Sequence, residues 1–130
     1  MNCVFIMTLE ELYRKIDGDY AQACQVLRVD KLIDKHIRRF PTGGIVEAVL
    51  NAGKTLEPVA MFESAHAMKG VCSNLGLKSL ATIASVITEE YRPGSVRNLT
   101  DDQIRAQLDN LERLYRKTVD GISEYAAGSV

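Results

Sequence analysis

The chain has 130 residues, of which 46% are hydrophobic and 25% are charged, and its formal net charge is −1. This length and composition are typical of one globular domain with its own core. A near-neutral chain has no overall basic field to attract nucleic acid or an anionic membrane, and the absence of tryptophan argues against a base-stacking surface. We therefore expect no nucleic-acid partner and no membrane partner.

The three cysteines, Cys3, Cys24 and Cys72, are widely separated and include no C-x-x-C pair. A sparse, odd set of this kind is typical of reduced thiols inside the cell. The first seven residues lack the basic start and the length of a signal peptide, and no stretch approaches the roughly 20 apolar residues of a membrane helix. We expect a cytoplasmic protein.

The first forty residues predict three short helices. Thr8 and Glu11 have the spacing of a capping box, and Gly18 is expected to end the helix that follows. Asp19 and Asp30 are expected to cap the second and third helices through their carboxylates. The third helix should bury its apolar residues, which are Leu32, Ile33, Ile37 and Phe40.

Residues 41–44 read Pro-Thr-Gly-Gly and form the clearest break in the chain. Pro58 fits the first turn of a later helix, Gly76 fits the left-handed end of that helix, and Thr100 has the spacing of a second capping box. Between these signals, apolar residues recur at steps of three and four. The pattern predicts four principal helices, at residues 45–53, 58–75, 78–91 and 101–125.

No stretch of the sequence alternates in the manner of a β-strand. Short connections between long amphipathic helices favour antiparallel packing of neighbouring helices. We predict an all-α fold, an antiparallel four-helix bundle with additional short N-terminal helices. The domain is expected to cover residues 8–127, after an N-terminal extension at residues 1–7.

The predicted helix at residues 58–75 has two unlike faces. His66 lies almost opposite its apolar stripe, and Lys69 and Gly70 lie beside His66 because residues three and four apart share a helix surface. Glycine in the middle of a helix costs about 1 kcal/mol relative to alanine, so it usually has a reason. Here it indicates close approach of a large partner, and the neighbouring ammonium indicates that the arriving group is negatively charged. The apolar stripe consists of Met61, Met68, Val71, Cys72 and Leu75.

Residues 65–70 read Ala-His-Ala-Met-Lys-Gly, Asn-Leu-Gly follows at residues 74–76, and Leu80 comes after it. This arrangement resembles the signature of histidine-containing phosphotransfer (HPt) domains. The His-x-x-Lys-Gly core is short, but the flanking apolar residues and the Leu-Gly at a fixed offset make the match much more specific. The match covers about residues 59–92. Met68 stands where leucine is commoner in the family, and the two exchange at little cost in a core.

The resemblance implies a phosphorelay intermediate. His66 would accept a phosphoryl group from the aspartyl phosphate of a receiver domain, or from a kinase, and pass it to another receiver. Lys69 would stabilise the phosphoryl group, and Gly70 would leave clearance for the partner. The partners implied are response-regulator receiver domains or a hybrid histidine kinase. The receiver would bring the Mg²⁺ and the acidic pocket, so this chain would be a monomeric carrier without a cofactor of its own and not an enzyme.

Three other readings deserve comparison. Glu63 and His66 form the Glu-x-x-His half-motif of di-iron bundles, but His36 has Ile33 three residues before it, so the second half is missing and we predict no metal site. A histidine kinase is not expected, because the sequence has no glycine-rich nucleotide box. The alternative that stays open is a helical binding or adaptor module whose histidine is silent.

Overall fold

The computed structural model describes residues 6–128, which form seven α-helices and no β-strand. The all-α prediction is therefore confirmed for this part of the chain. A 3₁₀ turn at Phe40–Thr42 separates the third helix from the fourth. The helices are α1 (Leu9–Lys15), α2 (Tyr20–Leu27), α3 (Asp30–Arg39), α4 (Ile45–Ala52), α5 (Pro58–Asn74), α6 (Lys78–Tyr91) and α7 (Asp101–Ala127).

Helices α4 to α7 form the predicted four-helix bundle, and α5 and α6 make its most extensive contact. Helix α4 packs on α5, α7 packs on α6, and α4 also contacts α7, so the four helices enclose one core. The short helices cover this bundle, with α1 and α3 on α7 and α2 on α5. The principal helices begin where the sequence predicted and end within two residues of the predicted positions.

The core is built almost entirely from apolar side chains. Burial of these side chains away from water is the main favourable contribution to the folding free energy. Met7, which the sequence analysis assigned to the extension, is also buried against this core. Residues 1–5 of the predicted extension lie outside the described residues. The fully buried large side chains include Leu12, Tyr13, Ile33, Ile37, Met61, Met68, Leu80, Ile87, Ile104 and Leu111.

Gly76 joins α5 to α6 and holds α2 against this turn. Its φ angle is 69°, in the left-handed region, as the sequence predicted for the end of α5. Its carbonyl oxygen accepts a hydrogen bond of 2.7 Å from the backbone N–H of Asp19. A Cβ atom at Gly76 would lie 2.2 Å from the carbonyl oxygen of Asp19. Only glycine therefore fits at position 76, because the turn needs a left-handed φ and because the backbone of Asp19 lies too close for any side chain.

Tyr13, on α1, also holds the C-terminal end of α5. The buried hydroxyl of Tyr13 donates a hydrogen bond of 2.5 Å to the carbonyl oxygen of Leu75. The last carbonyls of a helix have no partner within the helix, so this bond satisfies a group that would otherwise be unpaired. At the other end, the Glu57 carboxylate accepts hydrogen bonds from the N–H groups of Val59 and Ala60, at 3.1 and 2.8 Å. Both ends of α5 are therefore held in place.

The predicted caps at Thr8, Asp19 and Thr100 are confirmed. The cap predicted at Asp30 is wrong, because Val29 occupies that position and Asp30 is the first residue of α3. The Asp30 carboxylate instead accepts a hydrogen bond from the hydroxyl of Tyr20. An acidic residue in the first turn still interacts favourably with the helix dipole.

Two residues predicted to be buried are exposed. Leu32 is 41% exposed and Val71 is 38% exposed. Each lies at the edge of the apolar stripe of its helix, about 100° from a buried neighbour, Ile33 and Cys72 respectively. Across residues 6–128, no helix is both long and apolar enough to cross a membrane.

Candidate functional site

His66 lies in the middle of α5, and its side chain is exposed. The opposite face of the helix is fully buried, with Met61, Ala65, Met68 and Cys72 each at 0% exposure. Because α5 is anchored at both ends and along this face, the position of His66 on the surface is well defined. The imidazole makes no hydrogen bond to any other side chain or backbone group of residues 6–128.

Phe62 lies one helical turn before His66, and its ring stacks on the imidazole. The ring centres are 5.5 Å apart and the ring planes differ by 11°. Phe62 is half-buried, so it connects the exposed histidine to the packed part of the bundle. Offset-stacked rings at this separation are a favourable arrangement for aromatic pairs. The stack therefore contacts the imidazole through its face and uses neither of its nitrogens.

Helix α6 contributes an ion pair to the same surface. Arg92 donates two hydrogen bonds to the Glu89 carboxylate, from Nη2 to Oε1 at 2.9 Å and from Nε to Oε2 at 3.1 Å. The guanidinium carbon of Arg92 also lies 5.4 Å from the centre of the Phe62 ring. The hydrogen bond from Arg92 holds the pKa of the Glu89 carboxyl below its usual value, and the charges of Lys69 and His66 act in the same direction. Glu89 is thus close enough to both residues to interact with them electrostatically.

Lys69 is half-buried and lies at the boundary between α5 and α6. Its ammonium forms no ion pair with any of the residues that the structure describes. It lines an open cleft of about 350 Å³ between α2, α5 and α6, together with a carboxylate, an amide, several hydroxyl groups and a second lysine. The other polar residues of the cleft are Asp19, Gln22, Ser73, Lys78, Thr82 and Ser85.

Gly70 is exposed, and the space outside its backbone is open. A Cβ atom there would meet no heavy atom within 4 Å, its own helical backbone aside. Gly76, by contrast, could not carry a Cβ without moving the backbone of Asp19. Nothing in the described part of the chain therefore requires glycine at position 70.

The remaining candidate residues do not join this surface in a metal-binding arrangement. His36 is exposed on α3, and it lines a separate groove with Arg39 and Phe40. Among residues 6–128, no three His, Cys, Asp or Glu side chains come together as metal ligands would. Cys72 is fully buried, and burial raises the pKa of its thiol to about 12. It therefore behaves as a small hydrophobic residue, as the sequence predicted.

The structure places the three candidates His66, Lys69 and Gly70 on the solvent-facing side of α5, as the helical spacing predicted. Phe62 was not among the predicted site residues, although its position four residues before His66 indicates contact on a helix. Glu89 and Arg92 were not predicted either. Their spacing of three residues indicates an ion pair at the end of α6, but their proximity to His66 depends on how α6 packs on α5.

The family model described as Hpt domain matches residues 44–114, more than half of the chain. The match begins immediately before α4 and extends into α7, so it includes the whole surface around His66. Comparisons with curated proteins and with solved structures return no significant match. Hpt domains carry phosphoryl groups in phosphorelays, are not themselves kinases, and interact with receiver domains and kinases. The match over residues 44–114 shows that this chain belongs to the Hpt domain family.

Proposed function

We propose that this protein is a phosphorelay intermediate whose phosphorylated residue is His66. It would take the phosphoryl group from the aspartyl phosphate of a receiver domain, or from a kinase, and pass it to another receiver. The observation that carries the proposal is an exposed imidazole at the centre of a helix whose opposite face is buried, within the part of the chain that matches the Hpt family.

The chemistry needs little from the neighbouring residues. A neutral imidazole with a proton on Nδ1 has a lone pair on Nε2 and is already a competent nucleophile. The Nε2–phosphorus bond forms as the bond between phosphorus and the aspartyl oxygen breaks, and the aspartate leaves as a carboxylate. The proton stays on Nδ1, so no general base is required. Accordingly, the imidazole is stacked on Phe62 and has no hydrogen-bonded carboxylate among residues 6–128.

Phosphoryl transfer depends mainly on alignment and on neutralisation of charge. The stack with Phe62 supports alignment, because it limits rotation of the imidazole. Lys69 supports neutralisation, because its ammonium lies one turn from His66 and is not held by a carboxylate of the described residues. We propose that Lys69 contacts the phosphoryl oxygens and that the receiver supplies Mg²⁺ and the acidic pocket.

Gly70 would provide clearance for the receiver. The open space at this position supports that role, because no contact within the described chain explains the absence of a side chain. Ala67 lies beside it on the exposed side of α5 and is also small. A receiver could therefore approach the imidazole closely across this side of the helix.

We further propose that the carrier works as a monomer, which light scattering on a size-exclusion column would test.

The proposed phosphorylation is tested with receiver domains carrying ³²P-labelled aspartyl phosphate. We expect acid-labile phosphate on the wild-type chain and none on the His66→Gln variant. His36→Gln is the matched control, since it removes the other histidine, which is also exposed, and should transfer normally. A chain that binds receivers but never acquires phosphate would instead be an adaptor with a silent histidine. Phosphate retained by His66→Gln would show that another residue is the carrier.

A further inference from the structure

The exposed end of α6 brings opposite charges close to the phosphorylation site proposed above. The Glu89 carboxylate is held by Arg92 at 2.9 and 3.1 Å, and Arg92 in turn lies against Phe62, which stacks on His66. The four side chains therefore form one continuous group, which we term the Glu89–Arg92 cluster: Phe62, His66, Glu89 and Arg92. Only one member of this group, Glu89, is negatively charged.

We propose that the Glu89–Arg92 ion pair sets how readily His66 holds a phosphoryl group, Glu89 opposing it and Arg92 favouring it. This inference rests on the proposed function, because it concerns the phosphorylated state of the same histidine. It assigns a tuning role to two residues at the C-terminal end of α6, Glu89 within the helix and Arg92 just after it, which lie outside the His-x-x-Lys-Gly signature.

The opposing effect of Glu89 follows from the charge of the product. The phosphoryl oxygens carry up to about two negative charges at neutral pH, and the proton that stays on Nδ1 offsets about one of them, so the side chain becomes more negative by about one charge. Without the phosphoryl group, the Glu89 carboxylate is stabilised mainly by its hydrogen bonds from Arg92, and the positive charge of Lys69 also lowers its pKa. Once His66 is phosphorylated, the same carboxylate repels the new anion and competes with it for Lys69 and Arg92.

The favouring effect of Arg92 follows from its position. It is the residue immediately after α6, where the backbone leaves the helix, and its side chain is only partly buried. Its guanidinium already lies against Phe62, the ring that contacts the imidazole. A change of rotamer would exchange the Glu89 oxygens for phosphoryl oxygens, and a planar guanidinium binds either group with two hydrogen bonds. Arg92 would then be a second cation for the phosphoryl group, beside Lys69.

A purely structural ion pair makes a different prediction from a tuning pair. Exposed pairs at a spacing of three or four residues contribute little to stability, and removal of either partner breaks the pair equally. A structural pair therefore predicts the same effect for Glu89→Gln and Arg92→Gln. The tuning role predicts effects of opposite sign, because one substitution removes a negative charge and the other removes a positive one.

The experiment measures the equilibrium of phosphoryl transfer between the chain and a receiver domain that phosphorylates the wild-type protein. The equilibrium constant depends only on the free proteins and their phosphorylated forms, so changes in docking do not alter it. Glu89→Gln should shift the equilibrium toward phosphorylated His66 by about three- to tenfold, the size expected for charges interacting across hydrated surface. Arg92→Gln should shift it by a similar factor in the opposite direction. Glu89→Asp keeps the charge and should restore most of the wild-type value.

Glu112→Gln serves as the matched control. Glu112 forms a comparable exposed ion pair with Arg116 on α7, at 2.8 Å, and does not belong to the Glu89–Arg92 cluster. It should leave the equilibrium unchanged, and all variants should keep the wild-type circular dichroism spectrum. Shifts of the same sign for Glu89→Gln and Arg92→Gln, or no shift in either, would overturn the tuning role while leaving the proposed function intact. A wild-type chain that takes no phosphate from any receiver would overturn the proposed function itself.

Discussion

Substitution of Gly70 separates the effect of a side chain on stability from its effect on a docking partner. In Gly70→Ala, the new methyl group meets no heavy atom within 4 Å beyond its own helical backbone. The substitution also reduces the freedom of the unfolded chain and raises the helix propensity of α5. We therefore expect the free energy of unfolding to rise by up to about 1 kcal/mol. For a domain of this size, the melting temperature would rise by roughly 3–5 °C.

Gly70→Gln tests the docking clearance directly. Its side chain would extend into the open space beside His66 and occupy part of the surface where we propose that the receiver binds. Because nothing inside the described chain is displaced, the melting temperature should stay within a few degrees of the wild-type value, since surface substitutions typically change stability by about 0.5 kcal/mol or less. Phosphoryl transfer from a receiver should nevertheless be at least about tenfold slower, which corresponds to roughly 1.4 kcal/mol of lost transition-state stabilisation.

The assay follows transfer of ³²P from a receiver under single-turnover conditions, beside thermal unfolding of each variant by circular dichroism. Ala67→Gln should also slow transfer, because Ala67 lies on the same exposed side of α5, whereas Ala106→Gln, on the exposed side of α7, is the control for side-chain size and should transfer normally. If Gly70→Gln transfers phosphate at the wild-type rate, the clearance argument for Gly70 is wrong. If Gly70→Ala destabilises the fold, the reading of the space around Gly70 is also wrong.

Three further substitutions or modifications test other parts of the structure. Lys69→Ala should slow phosphoryl transfer by about ten- to a hundredfold, because a charge-assisted contact is worth about 1.5–3 kcal/mol. Lys69→Arg should recover only part of this loss. An unchanged transfer rate in a folded variant would show that Lys69 is only a solvated surface charge. Gly76→Ala should lower the free energy of unfolding by at least about 2 kcal/mol in denaturant titration, because it combines a left-handed φ with a clash against Asp19; wild-type stability would contradict this. Cys72 should resist iodoacetamide at pH 8 in the folded protein and react after unfolding, because its raised pKa leaves almost no thiolate at that pH; labelling of native Cys72, detected by peptide mass spectrometry, would show that the site opens.

The parts of the fold that the sequence predicts well are those controlled by local rules. A capping box needs only Thr8 and Glu11, and a helix stop needs only Gly76 in a left-handed conformation. The burial of Met61 and Met68 follows from their place at the centre of an apolar stripe, which any packing partner would cover. Such features do not depend on which helix lies opposite.

The parts of the fold that the sequence does not predict depend on which other helices pack against a given residue. Val71 and Leu32 are apolar, but an apolar side chain at the edge of a stripe is covered only where another helix packs against it. Asp30 has a side chain suited to capping, yet the hydroxyl of Tyr20 binds its carboxylate instead. The close approach of Asp19 to Gly76 likewise requires the packing of α2 on α5. In each case the contact or the exposure depends on how two or more helices pack together, so the sequence of one helix alone does not predict it.

The same division applies to the candidate site. His66, Lys69 and Gly70 are neighbours on one helix, so the spacing of three and four residues is enough to bring them together. Glu89 and Arg92 lie at the C-terminal end of α6, and the packing of α6 on α5 brings their charges close to the imidazole. If the proposed function is right, the signature residues identify where the phosphoryl group is carried, and the adjacent residues Glu89 and Arg92 set the electrostatic environment of that group. On this proposal, two Hpt domains with the same His-x-x-Lys-Gly core would hold a phosphoryl group with different strength wherever the charges that face it from the second helix differ.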